Sequence, residues 1–214
     1  MKGSSLLFAV TLVALADVHA AQGDERIIAP QQLFTPPPAG SYQLPPILAA
    51  PDGRVLDERG RPRQLRDLTR GRITLLSFIY THCTDAVGCP LAFSTLAQVR
   101  DRLAGRVKGA QLVSLSFNPD YDTPDVMRMF SKSFDGGTKE PAWHFLTTAS
   151  PAQLAPLLEG FGQDVSPAGE KRLDHTLRVF LIDRQQRVRE IYSSAYLLPE
   201  VIVNDMLTLA GESR

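Results

Sequence analysis

The sequence predicts an α/β fold, a central mixed sheet flanked by helices with an N-terminal extension, and three observations carry that prediction. Two short apolar runs rich in β-branched and aromatic residues, Ile73 to Tyr80 and Ala110 to Phe117, read as buried central strands. Between them apolar residues recur at helical spacing, so the two strands form a parallel pair joined by a crossover. Later, Thr176 to Ile182 and Val188 to Tyr192 flank the polar turn Asp183-Arg184-Gln185-Gln186, which is the pattern of an antiparallel hairpin.

The chain has 214 residues, 43% of them hydrophobic, enough for one well-packed domain and a tail. Its formal net charge is zero and no long basic block occurs, so neither a nucleic acid nor an anionic membrane surface is favoured as a partner. The scattered arginines read as solvated surface.

Residues 1–20 have the form of an export signal. Lys2 gives a weak positive region, Leu6 to Ala16 an apolar core, and Val18-His19-Ala20 small residues suited to cleavage after Ala20. That core is about half the roughly 20 residues a spanning helix needs, which favours a cleaved signal and a periplasmic protein over a membrane anchor. Both cysteines lie far downstream, at 83 and 89, which argues against a lipid-modified cysteine. Residues 21–42 form a proline-rich extended lead-in, with prolines recurring as far as Pro51. The folded domain occupies 43–214. Asp52-Gly53 and Gly71 mark turns, which suggests a peripheral hairpin feeding the first core strand.

The crossover helix opens at Pro90, a residue suited to a first helical position, and carries Leu91, Phe93, Leu96, Val99 and Leu103. Asp122-Thr123-Pro124-Asp125 opens the next helix, with Val126, Met129, Phe130 and Phe134 as its apolar face. Met127 and Met129 read as core filler rather than a copper–methionine site. A short apolar piece, Trp143 to Leu146, precedes a helix from Pro151 to Phe161. After the hairpin a last helix, Pro199 to Ala210, carries Val201, Ile202, Met206, Leu207 and Leu209. The order βαβα, then a helix, a hairpin and a closing helix, is that of a thioredoxin-like domain.

Chemistry concentrates in Tyr80 to Pro90, a strand-to-helix loop that holds both cysteines. In an exported protein two cysteines form a structural bridge by default. Cys89 immediately before Pro90, however, falls at the N-cap, where unpaired backbone N–H groups and the positive dipole end favour an anion such as a thiolate. A thiolate attacks disulfides and binds soft metals, and a static bridge gains nothing from that location.

Three motifs add a resemblance. Phe78-Ile79-Tyr80-Thr81-His82-Cys83 with Cys89-Pro90, then Asn118-Pro119-Asp120-Tyr121-Asp122-Thr123-Pro124, then Asp174-His175-Thr176 leading into Val179-Phe180-Leu181-Ile182-Asp183, resemble the Sco/SenC family, in its order, from about Gln43 to the C-terminus. The resemblance implies a thioredoxin-like fold, export, and a metallochaperone that helps assemble the dinuclear copper centre of cytochrome c oxidase. It also implies copper, as Cu(I) or Cu(II), held by Cys83, Cys89 and His175, and a cuproprotein client such as the copper-bearing oxidase subunit. Two thiolates suit Cu(I), and an added imidazole lets the same site tolerate Cu(II). The chain departs from the family in having five residues, not three, between its cysteines, and in a signal that looks cleavable where members are commonly tethered.

A rival reading is a thiol–disulfide oxidoreductase in which Cys83 and Cys89 form a redox-active pair that exchanges with the thiols of partner proteins. His175 separates the two in part, because exchange needs no distant imidazole. Among the other histidines, His19 leaves with the signal and His144 reads as a satisfied core residue. His82, next to Cys83, is a supporting position or a first landing point for the metal.

Overall fold

The computed structural model describes residues 32–83, 88–135, 140–168 and 173–212. Its elements in chain order are β1 (Leu48–Ala49), β2 (Arg54–Leu56), β3 (Pro62–Gln64), α1 (Leu65–Thr69), β4 (Ile73–Ile79), α2 (Gly88–Leu103), β5 (Ala110–Ser116) and α3 (Pro124–Ser131). There follow β6 (Ala142–Leu146), α4 (Pro151–Phe161), β7 (Val165–Pro167), β8 (Leu173–His175), β9 (Arg178–Ile182), β10 (Arg187–Ser193) and α5 (Pro199–Gly211). One six-stranded sheet runs in the order β1-β10-β9-β4-β5-β6. Within it β4, β5 and β6 are parallel, while β9, β10 and β1 are antiparallel to their neighbours, so the sheet is mixed as the sequence predicts. β2 and β3 form the peripheral hairpin, and β7 and β8 a second small ribbon.

Every residue of β4 and β5 is buried, because helices cover both faces of the sheet. Ile73, Leu75, Leu112, Val179 and Leu181 pack beneath α2 and α5, against Leu96, Val99, Ile202 and Met206. Leu76, Phe78, Val113, Leu115 and Phe180 face the other way, onto Leu154, Leu157 and Phe161 of α4. Polar groups inside this layer are paired. Ser77 and Ser114 share a 3.0 Å hydrogen bond, and Gln111 donates to Thr74 Oγ1 and to the Leu68 carbonyl.

The lead-in lies along α5 as a strap. Gln32 donates to Glu200, Asn204 to the Pro37 carbonyl, and the Gly40 N–H to Thr208 Oγ1. Farther on, Arg189 donates to the Leu44 carbonyl and also pairs with Asp183 and Glu212. Its prolines preclude a sheet ladder until β1, and side chains hold it instead.

Three local readings change. The strand expected from Thr176 to Ile182 begins at Arg178, and His175 does not lead into it but ends β8, which pairs with β7. α2 opens at Gly88, so Cys89 is the second residue of the helix rather than its N-cap. On α3 the inward residue is Met127, fully buried, with Phe130 three residues on and Phe134, in the 3-10 turn Lys132–Phe134 that follows, packed in the same cluster, while Met129 points outward at 68% exposure. Among the described residues no helix is long and apolar enough to cross a membrane, and the export signal at 1–20 lies outside them.

Candidate thiol and histidine site

β4 and β5 run parallel, so their C-terminal ends open on the same side, where sites collect in parallel sheets. The first residue beyond β4 is Tyr80 and the first beyond β5 is Phe117; both are buried, with ring centroids 5.0 Å apart. From Tyr80 the chain leaves the sheet through Thr81 and His82 to Cys83, which is half-buried against the core beneath α4.

Cys83 and Cys89 form a disulfide with their Cα atoms 6.6 Å apart. The five-residue spacing therefore lets the two sulfurs meet, and Thr84 to Val87 lie outside the described residues. Although Cys89 sits in the first turn and not at the cap, the N–H groups of that turn have no intrahelical partners and the positive dipole end still favours an anion there.

His175 arrives from a third direction, at the end of β8 opposite Val165. Its ring lies edge-on to Tyr80 at 5.8 Å and tilted over Phe117 at 4.8 Å, so both rings that cap the central strands form its wall. Nδ1 is 3.2 Å from the Leu173 carbonyl, an acceptor, so that nitrogen is the donor and Nε2 is the ring atom left to face a ligand. In this disulfide form the structure brings Cys83 and Cys89 together and sets His175 on the aromatic wall. Among the described residues it gathers no group of three histidine, cysteine or acidic side chains that could hold a metal ion.

The Cys83 stem is fastened to the neighbouring loop. Asp122, fully buried, accepts from the Thr81 N–H at 3.1 Å, from Thr81 Oγ1 and from Ser116 Oγ. The His82 ring meets Tyr121 at 3.6 Å between centroids, and its Nδ1 is buried without a hydrogen-bond partner among the described residues. His144 is half-buried on edge strand β6, where burial first and then Arg72 and Arg63 hold its pKa below the usual histidine value.

Sequence reasoning names Asp122 and Tyr80 only as members of the motifs and gives neither its role here, and it does not single out Phe117. The pattern Asp122-Thr123-Pro124-Asp125 marks a helix opening, and within it Thr123 is the cap, accepting from the Val126 N–H. An acid directly before a sufficient cap residue is spare, and that surplus was the available signal. Tyr80 and Phe117 carry no such mark, since aromatic residues at strand ends read simply as core.

No curated protein sequence matches the chain significantly. Among solved structures, a SCO1/SenC family lipoprotein from Bacillus anthracis superposes with a TM-score of 0.69 at 24% identity, covering 79% of this chain and 99% of its own. BsSco, described as a member of the Sco family of cytochrome c oxidase assembly proteins with a disulfide switch, gives 0.66 at 21% identity over 80% of this chain and 100% of its own. Copper-bound ScoI of Bradyrhizobium japonicum gives 0.60 at 25% identity over 74% and 97%. These likenesses establish the thioredoxin-like fold, and the SCO1/SenC family profile matches residues 50–211. With well over half of its length matched, the chain belongs to the SCO1/SenC family.

Proposed function

We propose that this chain is an exported copper metallochaperone that takes copper as cargo through the thiolates of Cys83 and Cys89 and the imidazole of His175. Its client is a cuproenzyme such as cytochrome c oxidase. The observation that supports this most is that the only two cysteines sit close enough to bridge while His175 leans on Tyr80, three residues from Cys83. Family membership supports it too, with relatives described as copper-bound and as oxidase assembly proteins.

The donor set suits the cargo. Two-electron reduction of the bridge, with two protons taken up, gives two thiols; metal binding then releases protons as the thiolates form. Thiolates are soft donors for Cu(I), and Nε2 of His175 supplies the harder donor that Cu(II) accepts.

Anaerobic titration of the reduced chain tests the reading. One copper ion binds per chain. Cys83→Ser and Cys89→Ser each weaken Cu(I) binding most, and His175→Ala weakens Cu(II) binding in particular. An unchanged affinity for both oxidation states in His175→Ala removes the imidazole from the site. The disulfide itself favours the second reading, a thiol–disulfide oxidoreductase. A reduced chain that binds no copper yet exchanges its bridge rapidly with glutathione would put that reading first. Export is tested by N-terminal sequencing of the periplasmic fraction, with Ala21 the expected first residue.

A further inference from the structure

We propose that Asp122 is a positioning residue for Cys83, holding the stem of the thiol loop in one place whether the disulfide is closed or open. The proposal takes its interest from the copper reading above, but its test uses no metal, so the two can fail separately.

The carboxylate is 0% exposed, and each of its contacts is structural in direction. One oxygen takes the Thr81 hydroxyl; the other takes the Thr81 N–H and the hydroxyl of Ser116, the last residue of β5. Ser116 Oγ in turn accepts from the Asn118 N–H at 2.9 Å. Asp122 is itself fixed, because its N–H donates to the Asn118 carbonyl at 2.8 Å and the next residue caps α3. A buried acid bound to three donors is thus bolted to the parallel pair β4 and β5, and it grips the chain two residues before Cys83. Cys89 is fixed independently, by the first turn of α2. The same loop supplies Phe117 to the wall of His175, so one bracket reaches both the thiol stem and the imidazole.

The consequence is thermodynamic. The exchange protein dithiol plus oxidised glutathione gives protein disulfide plus two reduced glutathione, and its equilibrium constant reports the effective concentration of one thiol at the other. A stem ordered in advance spares the bridge the cost of ordering it, which favours the disulfide. Loosening the stem lets the open dithiol spread over more conformations and shifts the balance toward reduction.

Glutathione redox titration of the full mature chain, read by thiol alkylation, tests this. Asp122→Asn removes the charge that holds all three donors and shifts the equilibrium toward the dithiol by about tenfold. Thr81→Val keeps the charge, deletes one bond and shifts it the same way by about threefold. Asp183→Asn is the control. Asp183 is another buried carboxylate that pins a turn, through the N–H groups of Gln185 and Arg187, but at the opposite end of the sheet. It lowers stability and leaves the thiol equilibrium within twofold. A shift in Asp122→Asn with none in Thr81→Val makes the effect one of charge and overturns positioning. An equal shift in Asp183→Asn makes it one of general stability and overturns it as well. Should Asp122→Asn not fold, the contrast between Thr81→Val and Asp183→Asn decides alone.

Discussion

Two tyrosine hydroxyls, those of Tyr42 and Tyr192, donate to the single carboxylate of Asp205, which is 4% exposed. Burial raises the Asp205 pKa above the usual carboxylate value, although both hydrogen bonds pull it down. Tyr42 is pushed up to about 12, by burial first and then by its bond to Asp205. A carboxyl whose folded pKa exceeds its unfolded one binds more protons when folded. Its contribution is fully present below the unfolded value of about 4 and is lost as pH rises through the folded value. Asp205→Asn keeps an accepting oxygen and removes that loss. In urea unfolding between pH 4 and 7, the stability of the parent relative to the variant therefore falls as pH rises; a flat difference would show that the carboxyl is not the cause. None of this was legible in the sequence, where Asp205 is one acid in a helix and Tyr42 one residue of a proline-rich tail. The burial of both depends on how the strap lies over α5.

α4 carries a glycine where an exposed helix would favour alanine. A Cβ on Gly160 would stand 2.8 Å from the Cβ of Pro51, and one on Gly53 would stand 2.9 Å from Leu157 Cγ, so the segment between β1 and β2 lies directly on this helix. Gly160→Ala gains about 1 kcal/mol of helix propensity and loses about 1–3 kcal/mol to overpacking, so a net loss of roughly 1 kcal/mol in denaturant titration is expected. Adding Pro51→Gly relieves the clash and makes the pair less than additive. Ser150, whose side chain accepts from the Gln153 N–H at the start of α4, gives a separate check: Ser150→Ala costs about 1 kcal/mol. Elements with a full apolar period, such as β4, β5 and α5, were legible because burial on the sheet dictates their composition. β8 was not. Its three residues are held by partners in β7, and no glycine or proline separates His175 from β9.

Because adjacent residues of β4 serve opposite faces, Leu75 beneath α2 and α5 and Leu76 beneath α4, the two halves of the core share one backbone. Leu75→Ala and Leu76→Ala each cost about 2–5 kcal/mol, and each moves a single transition in which far-ultraviolet circular dichroism and Trp143 fluorescence coincide. Separate transitions by the two probes would mean that the faces unfold independently. At this scale the sequence was most informative: element order alone led to the mixed sheet, and three motifs led to the family. The thiol pair was legible from its place between strand and helix, whereas the bracket around it was not, since it joins residues 81, 116 and 122 through a fold that no spacing announces. The strap along α5 has a practical outcome. Gln32 lines a groove with Leu91 and Ser94 of α2, beside the thiol end, whereas Glu212 is held by Arg189 near the β9–β10 turn at the other end of the sheet. A fluorescent protein or affinity tag joined after α5 therefore starts from the end of the sheet away from the cysteines, the better placement for a thiol-exchange or metal-binding assay.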